Sequence, residues 1–486
     1  MTADTTADTL REKCGVFGIY GHPDAAKHTA LGLHALQHRG QEAAGLVTYN
    51  GRQFSAHRDT GHVGDIFDKP DLMERLTGHI AVGHNRYSTS GATAMRNIQP
   101  LFAELAFGGF ALSHNGNLTN FEKLRRELVQ RGALFQSTTD TEVLIHLMAA
   151  APAEVEGAVD RMTYALQHIE GAYAFVAMTD SQLIGVRDPF GVRPLVLGRV
   201  GDSYVLASET CALDIIDAEV IRDIEPGEMV VIDTEGLRSL RPFPPRNRQR
   251  FCIFEYIYFA RPDSVVEGSS VYEARRRIGQ ELARESHSPS DVVIPVPDSG
   301  VPAAIGYADE AQIPFEFGII RNHYVGRTFI EPTQSIRNLG VKLKHNANRA
   351  MIEGKRVVLV DDSIVRGTTS AKIVKMVRDA GAKEVHMRIA APPTRHSCYY
   401  GIDTPNAGEL LASRYTVPDM ASVIGCDSLA FISFDGMYRA MGHAGRNPDQ
   451  PQFCDACFTG DYPIPLVDQE EDTPDTDLFS VISEEA

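Results

Sequence analysis

Short apolar runs that end abruptly at polar turns recur along the chain. The lengths of these runs, and the number of helical segments between them, divide the chain into two zones. From residue 14 to about residue 242, most runs have the length of a strand and only two segments read as helices. This pattern predicts a layered domain, with sheet packed on sheet and helices outside. A Pro- and Arg-rich stretch at 242–251 predicts a domain boundary. Beyond it, apolar strands close in turns and lead into helical segments, which predicts an α/β domain with a parallel sheet.

The run VVLVDDSIVRGTTSAK, at 357–372, carries the strongest local signal of the second zone. Four apolar β-formers lead into Asp361 and Asp362, and this predicts a strand buried on both faces of a parallel sheet. The turn that follows leaves backbone N–H groups at a helix start, which favours phosphate binding. The two aspartates are suited to hold hydroxyls or Mg²⁺. The alternative is a plain strand–turn–helix unit capped by Thr368 or Thr369.

Length and charge indicate how many domains the chain has and which kinds of partner its acidity disfavours. A chain of 486 residues exceeds a single core, so two or more domains are expected. The net charge is −17, and eight acids lie in the last 19 residues, so we expect 468–486 to be a disordered acidic tail. This acidity argues against nucleic-acid partners. The sequence has no apolar run of membrane-spanning length and no apolar signal segment in its first residues, which predicts a cytoplasmic protein without membrane contact.

Cys14 stands at the start of an apolar strand, behind a polar leader at 1–13. A cysteine in this position suggests a nucleophile that is freed when the leader is removed as a propeptide. Its α-amine, with a pKa of about 8, would then serve as the general base. The alternative is a small buried cysteine in a first strand.

Five ordered motifs sharpen this choice. They are CGVFGI at 14–19, QHRGQE at 37–42, GHNRYSTSG at 83–91, HNGNL at 114–118 and TDTE at 139–142. Together they resemble the class II glutamine amidotransferase domain, which has the N-terminal-nucleophile hydrolase fold. The resemblance implies an αββα sandwich over 14–245 that releases ammonia from glutamine.

The resemblance also implies roles for individual residues of this domain. The N-terminal cysteine attacks the glutamine side-chain amide, and a turn at Asn115 and Gly116 supplies the oxyanion hole. Arg86 pairs with the α-carboxylate of glutamine, for which a guanidinium fork is suited. Asp140, expected at a helix N-terminus, pairs with the α-ammonium. Arg39 lies in a loop that is expected to order over bound glutamine. The alternative for Arg86 and Asp140 is ordinary surface charge.

The second zone resembles the type I phosphoribosyltransferases through its DD–SIVRG–TT motif, with a domain expected at 252–440. The resemblance implies that the two aspartates hold ribose hydroxyls and that the 363–369 backbone cradles the 5-phosphate. One Mg²⁺ is expected at Ser299, Asp361 and Asp362. The segment 331–349 is rich in polar residues and is predicted to be a lid that closes on a charged ligand. The alternative is an ordinary surface loop. The residues assigned to phosphoribosyl pyrophosphate are Asp361, Asp362, Ser363, Arg366, Gly367, Thr368 and Thr369, with Arg327 and Lys344 as lid or pyrophosphate contacts.

Cysteines near the C-terminus form a CxxC pair, Cys454 and Cys457, in the segment 441–467. The pair alone is ambiguous between zinc, iron–sulfur and redox roles, and spacing cannot show which distant cysteines join it. The leader and the CxxC pair resemble the propeptide-bearing, iron–sulfur branch of the amidophosphoribosyltransferase family. That resemblance implies one structural [4Fe–4S] cluster on Cys252, Cys398, Cys454 and Cys457. Four-cysteine zinc is the alternative.

A glutaminase joined to a phosphoribosyltransferase therefore resembles the amidophosphoribosyltransferases over most of the chain. The implied reaction converts glutamine, phosphoribosyl pyrophosphate and water to 5-phosphoribosylamine, glutamate and pyrophosphate, the first step of purine synthesis. The resemblance also implies an ammonia channel, feedback inhibition by purine nucleotides and a homotetramer. Two rivals remain at this point: a nucleotide sensor with a relic glutaminase, and another class II amidotransferase such as a hexosamine or asparagine synthase.

Overall fold

The computed structural model describes residues 11–12, 14–87, 95–244, 249–322 and 345–470. The strands of the N-terminal part are β1 (Arg11–Glu12), β2 (Gly15–Tyr20), β3 (Ala43–Tyr49), β4 (Phe54–Thr60), β5 (Ile80–Arg86), β6 (Leu101–Leu105), β7 (Gly108–Leu118), β8 (Gly171–Met178), β9 (Leu183–Arg187), β10 (Val196–Val200), β11 (Ser203–Ala207), β12 (Glu219–Asp223), β13 (Met229–Asp233) and β14 (Gly236–Leu240). Its helices are α1 (Ala25–Ala35), α2 (Val63–Phe67), α3 (Pro70–Arg75), α4 (Phe121–Gln130), α5 (Thr141–Ala149), α6 (Gly157–Leu166) and α7 (Cys211–Asp214), with a 3₁₀ turn at Met95–Asn97.

Two antiparallel sheets form this first domain within the described ranges. One has the order β12-β10-β11-β2-β5-β3-β4, and the other has the order β14-β13-β9-β8-β7-β6. Val16 and Val82 from the first sheet share one core with Val176 and Val230 from the second. Helix α1 packs outside the first sheet, and α5 and α6 pack outside the second. The predicted αββα sandwich is confirmed.

The strands of the second part are β15 (Phe251–Cys252), β16 (Val265–Val266), β17 (Ser269–Ser270), β18 (Val292–Pro295), β19 (Ile319–Arg321), β20 (His345–Ala347), β21 (Arg356–Asp361), β22 (Glu384–Ile389), β23 (Ile402–Asp403), β24 (Ser428–Phe431) and β25 (Phe453–Cys454). The helices are α8 (Val271–Glu285), α9 (Val301–Ala311), α10 (Arg349–Ile352), α11 (Thr368–Asp379), α12 (Leu411–Arg414), α13 (Val417–Ile424), α14 (Phe434–Ala440), α15 (Ala456–Thr459) and α16 (Val467–Glu470), with a π-helix at Glu255–Phe259 and a 3₁₀ turn at Ala407–Glu409.

A parallel sheet of order β18-β21-β22-β24 is the centre of the second domain. Strand β21 is buried on both faces, as its apolar run predicts. Val358 and Val360 face one core, while Val357 and Leu359 face the other. The first of these cores also contains Ala172 of the N-terminal sandwich, so the two domains share apolar packing.

Parts of the leader and of the acidic tail form secondary structure where the structure describes them. Arg11 and Glu12 pair antiparallel with Asp403 and Ile402 of β23. At the other end, Asp468 lies in α16, and its carboxylate accepts hydrogen bonds from the backbone N–H groups of residues 122 and 123, at 2.9 and 3.2 Å. A carboxylate suits this place because the first N–H groups of a helix have no partner within the helix. The expected start of the tail at 468 is therefore too early.

The sequence boundary between the domains falls where the structure changes architecture. The last strand of the sandwich, β14, ends at Leu240, and β15 starts the next part at Phe251. None of the helices in the described ranges is both long enough and apolar enough to span a membrane.

Candidate active sites

Cys14 directly precedes β2 and is nearly buried, with 8% of its surface exposed. Its φ angle is +73°, a left-handed backbone conformation that side-chain-bearing residues seldom adopt. The next residue, Gly15, pairs with Asn85 of β5. The cysteine thus sits at the end of two paired central strands, where the backbone holds it in an unusual conformation.

Asn115 and Gly116 lie inside β7, paired with β8, and not in the turn that their sequence suggested. Gly116 has φ +141°, and a Cβ there would lie 2.0 Å from the carbonyl oxygen of Ala172, so only glycine fits. Asn115 is fully buried, and neither its Nδ2 nor its Oδ1 has a hydrogen-bond partner among the described residues. Because buried amides are nearly always paired in folded proteins, this one is suited to receive a ligand.

His84 links β5, the strand that pairs with β2, to β7, the strand that carries Asn115. Its Nε2 lies 3.1 Å from the carbonyl oxygen of His114. Complete burial, with a contribution from Arg86, lowers the pKa of His84 to about 3. The ring is therefore neutral at physiological pH and donates to the carbonyl oxygen, which fixes the distance between β5 and β7.

Arg86 and Asp140 lie at the ends of elements that bound this region. Arg86 closes β5 and donates to the carbonyl oxygen of Asn97. Asp140 precedes α5, as predicted. Its Oδ2 accepts the N–H of Leu118 at 2.9 Å, and its Oδ1 lies 3.6 Å from Nδ1 of His114. Asp140 is thereby attached to β7, the strand that carries Asn115. Residues 88–94 of the GHNRYSTSG motif lie outside the described residues.

Arg39 departs from its expected role as a cover over glutamine. Its side chain has no exposed surface. It forms an ion pair with Glu209 and another, at 2.7 Å, with Glu255 of the second domain. Burial alone would raise the pKa of Glu209, but the charges of Arg39 and His38 outweigh it and the pKa falls. In this conformation the guanidinium of Arg39 binds both carboxylates and joins the two domains.

Asp361 and Asp362 lie at the carboxyl end of β21, where ligands bind in open α/β sheets. Ser299, in the turn after β18, donates its Oγ hydrogen to Oδ1 of Asp362 at 2.5 Å. Ser363 donates to Oδ2 of the same carboxylate at 2.6 Å. Burial raises the pKa of Asp362. The structure thus brings together four of the residues that the sequence assigned to this site.

Helix α11 begins at Thr368, and Gly367 takes its N-cap position with φ +79°. No side chain caps this helix, so the alternative of a Thr cap is not observed. A helix start of this kind is suited to bind an anion, because its first backbone N–H groups point outward from the helix end. Arg366 instead turns toward Glu409, with Nη2 at 2.9 Å from its carboxylate. Arg327 and Lys344, and most of the expected lid, lie outside the described residues.

Two residues near the aspartates were not predicted. Desolvation and the charges of Asp362 and Asp361 raise the pKa of Tyr258, which lies in the π-helix. Arg275 of α8 is buried and donates to the carbonyl oxygen of Tyr256 at 2.8 Å. The charge of Arg275 also acts on Asp362. The only available signal was the aromatic run EYIYF, which resembles ordinary core sequence.

The four cysteines assigned to a cluster lie in one region. Cys252 of β15 is the register partner of Cys454 of β25. Burial raises the pKa of Cys457, and the thiols of Cys398, Cys252 and Cys454 contribute in the same direction. In the part of the chain that the structure describes, no three His, Cys, Asp or Glu side chains surround a single ion position. Cys211 is buried and Cys426 half-buried, each with its thiol near a backbone carbonyl.

Comparisons with known proteins agree with this two-domain arrangement. A glutamine amidotransferase domain family matches residues 84–214, and a phosphoribosyl transferase domain family matches residues 266–405. A solved Bacillus subtilis glutamine phosphoribosylpyrophosphate amidotransferase, complexed with ADP and GMP, has a TM-score of 0.88 at 47% identity and covers 95% of this chain and 99% of that one. A solved structure described as the allosteric regulatory enzyme of purine biosynthesis also has a TM-score of 0.88 at 47% identity, over 93% and 97% of the two chains.

Curated relatives extend the similarity over nearly the full length. An amidophosphoribosyltransferase of Rhizobium etli is 58% identical over 98% of this chain and 97% of its own. That of Bacillus subtilis is 48% identical over 94% and 95%. A chloroplastic relative from Arabidopsis thaliana is 51% identical over 95% of this chain and 80% of its own. The chain therefore belongs to the amidophosphoribosyltransferase family, the enzymes of the first step of purine biosynthesis.

Proposed function

We propose that the N-terminal site releases ammonia from glutamine with Cys14 as its nucleophile, and that the second site joins this ammonia to phosphoribosyl pyrophosphate. The observation that carries the proposal is the buried Asn115 amide, which has no partner among the described residues and lies beside a glycine that no other residue can replace. Such a pair is suited to bind an oxyanion.

The first half-reaction follows from this geometry. With residues 1–13 removed, the α-amine of Cys14 takes the thiol proton, and Sγ attacks the side-chain carbonyl carbon of glutamine. Asn115 Nδ2 and the N–H of Gly116 donate to the developing oxyanion. Ammonia leaves, and water hydrolyses the thioester to glutamate. Arg86 and Asp140 bind the α-carboxylate and α-ammonium, because they flank the same strands with opposite charges.

In the second half-reaction, Asp361 and Asp362 hold the ribose hydroxyls and the 363–369 backbone holds the 5-phosphate. Ammonia attacks the ribose carbon from which pyrophosphate departs. The two carboxylates and the Ser299 hydroxyl fit Mg²⁺, which usually takes one or two carboxylates together with substrate phosphates. When bound, the ion would neutralise charge on pyrophosphate. Arg327 and Lys344 remain predicted contacts.

The four cysteines are proposed to hold one [4Fe–4S] cluster. Their thiols lie close enough to raise one another's pKa, and four cysteine thiolates are the usual ligands of such a cluster. Such a cluster would tie β25 and α15 to the start of the second domain. Iron and acid-labile sulfide in protein purified without oxygen would test this assignment, and stoichiometric zinc would contradict it.

The direct contact of the two domains supports a closed path for ammonia. Asn117 Nδ2 donates to the carbonyl oxygen of Tyr399 at 3.0 Å, and a Cβ at Gly401 would lie 2.8 Å from the Cα of Gly116. The oxyanion strand thus touches the second domain. We also propose a cytoplasmic homotetramer regulated by purine nucleotides, since the Bacillus structure contains ADP and GMP.

A Cys14→Ala variant tests whether ammonia is released at one site and used at the other. We expect it to lose glutamine-dependent product formation and to retain activity with ammonium salts within about threefold, because ammonia needs no nucleophilic release. Cys211→Ala, at another buried cysteine, is the matched control. Glutamine-dependent activity that survives in Cys14→Ala would overturn the assignment.

A further inference from the structure

Residues 11 and 12 of the leader contact a domain far away in sequence. β1 runs antiparallel to β23, with Arg11 opposite Asp403 and Glu12 opposite Ile402. β23 belongs to the second domain, whereas Cys14 and β2 belong to the first. These two residues, shortly before the nucleophile, are therefore paired with the domain that is proposed to use its product.

The docking strand lies next to the oxyanion strand. Gly401, the residue before β23, is so close to Gly116 that a Cβ on it would lie 2.8 Å from the Gly116 Cα. Asn117, one residue further along β7, is bonded to the carbonyl oxygen of Tyr399. The same short segment of the second domain thus contacts both the leader and the backbone that would stabilise an oxyanion.

Cys14 is confined between two pairings. On one side Glu12 pairs with Ile402, and on the other side Gly15 pairs with Asn85. Between them, Cys14 has φ +73°, a conformation disfavoured for a residue with a Cβ. Cutting the peptide bond before Cys14 removes this constraint, because φ of an N-terminal residue is no longer fixed by a preceding carbonyl.

We propose that the Ile402–Asp403 edge of the phosphoribosyltransferase domain is the docking strand that positions the leader for its own removal, so that the glutaminase matures only against a folded second domain. This inference rests on the proposed removal of residues 1–13. Because the contact is a strand pairing, it is made through the backbone and does not depend on the leader's side chains.

The proposed cleavage before Cys14 balances with water as its only co-reactant. Sγ of Cys14 attacks the carbonyl carbon of residue 13, and the bond between that carbon and the Cys14 nitrogen breaks. The thiol proton passes to this nitrogen, which becomes the free α-amine. Water then hydrolyses the thioester, which leaves a carboxyl group on residue 13 and restores the thiol.

Leader variants of the full-length chain test the docking strand, since they leave the mature sequence unchanged. Consecutive N–H groups of a strand point to opposite sides, so one of the two faces β23. Arg11→Pro/Glu12→Pro removes that N–H whichever residue carries it, and we expect the mature N-terminus to appear at least tenfold more slowly. Arg11→Ala/Glu12→Ala keeps both N–H groups and should mature within about twofold of the wild-type rate. Thr9→Pro changes a residue two positions before Arg11 in the sequence and should also mature normally. Intact-mass spectrometry during a synthesis chase measures each rate.

The possible results distinguish a failure of the docking-strand proposal from a failure of the proposed leader removal. Wild-type maturation with equally fast maturation of the double-proline chain would overturn the docking strand alone. Slow maturation of the alanine pair or of Thr9→Pro would also overturn it, because side chains or general leader stiffness would then control cleavage. A fully active wild-type chain that retains Met1 or Thr2 would overturn leader removal and this inference together. The double-proline sequence expressed from Cys14 onward is the wild-type mature protein and gives the activity reference.

Discussion

The proposed glutamine site lies within antiparallel strands, whereas the proposed phosphoribosyl site lies where parallel strands end. Asn115 and Gly116 are inside β7, and cross-strand hydrogen bonds fix their backbone. Asp361 and Asp362 stand at the end of β21, and the turn before α11 follows them. In the first arrangement, strand pairing on both sides holds the proposed oxyanion donors in place. In the second, the proposed phosphate site is a helix start that follows a strand end.

The largest effect is expected where a rigid donor meets developing charge. Asn115→Ala should lower kcat with glutamine roughly 10²- to 10³-fold, as expected when one oxyanion donor is lost. Activity with ammonium salts should be unchanged. Ser113→Ala, at a buried position two residues earlier on β7, is the matched control. Steady-state kinetics with both nitrogen donors measure the difference, and an equal loss with ammonia would contradict a role confined to glutamine.

A smaller loss of activity is expected for a substitution at the end of β21. The loss should be the same whether glutamine or ammonia supplies the nitrogen. Asp361→Asn removes charge-assisted hydrogen bonds to the ribose, so product formation should fall roughly 10- to 100-fold with glutamine and with ammonia alike. The exposed Asp379→Asn, at the end of α11, is the control. If only the glutamine-dependent rate falls, Asp361 does not act in the phosphoribosyl site.

The binding groups at the rim of the first site should influence KM more than kcat. Arg86→Lys keeps the charge but loses the bidentate fork, and we expect the KM for glutamine to rise about tenfold with a smaller change in kcat. Arg52→Lys, on the exposed turn between β3 and β4, should change neither constant. An unchanged KM for Arg86→Lys would assign this arginine a structural role, through its bond to Asn97.

The smallest effect concerns stability and not catalysis. Because the folded pKa of His84 is about 3, the unfolded chain takes up a proton below its ordinary value of 6.5 and the folded chain does not. Stability is therefore lost as the pH falls from 6.5 toward 3, by about 2 kcal/mol at pH ~5. His84→Gln keeps a donor and should make the thermal midpoint less sensitive to pH. An unchanged pH dependence would show that another group dominates.

Sequence reasoning succeeded where the signal was local. The double-sided burial of β21 and the turn at Gly367 follow from residues adjacent in sequence. It was wrong for Asn115–Gly116, because an Asn–Gly pair is typical of a turn and here lies inside a strand. It gave no sign of the partners of Arg39, which lie 170 and 216 positions away. Contacts at such separations leave no periodic pattern.

The buried ion pairs around Glu255 bear on how this gene can be recombined. Arg39 and Arg193 of the sandwich both bind this carboxylate of the second domain, at 2.7 and 2.9 Å, with no exposed surface on any of the three side chains. Losing one partner of a buried pair costs about 3–5 kcal/mol, and a foreign second domain without an acid at this position would remove a carboxylate partner from both arginines. A chimaera that takes one domain from each of two relatives is therefore expected to fold only when its first domain carries the two arginines and its second domain carries the acid. The two domains are thus expected to evolve together.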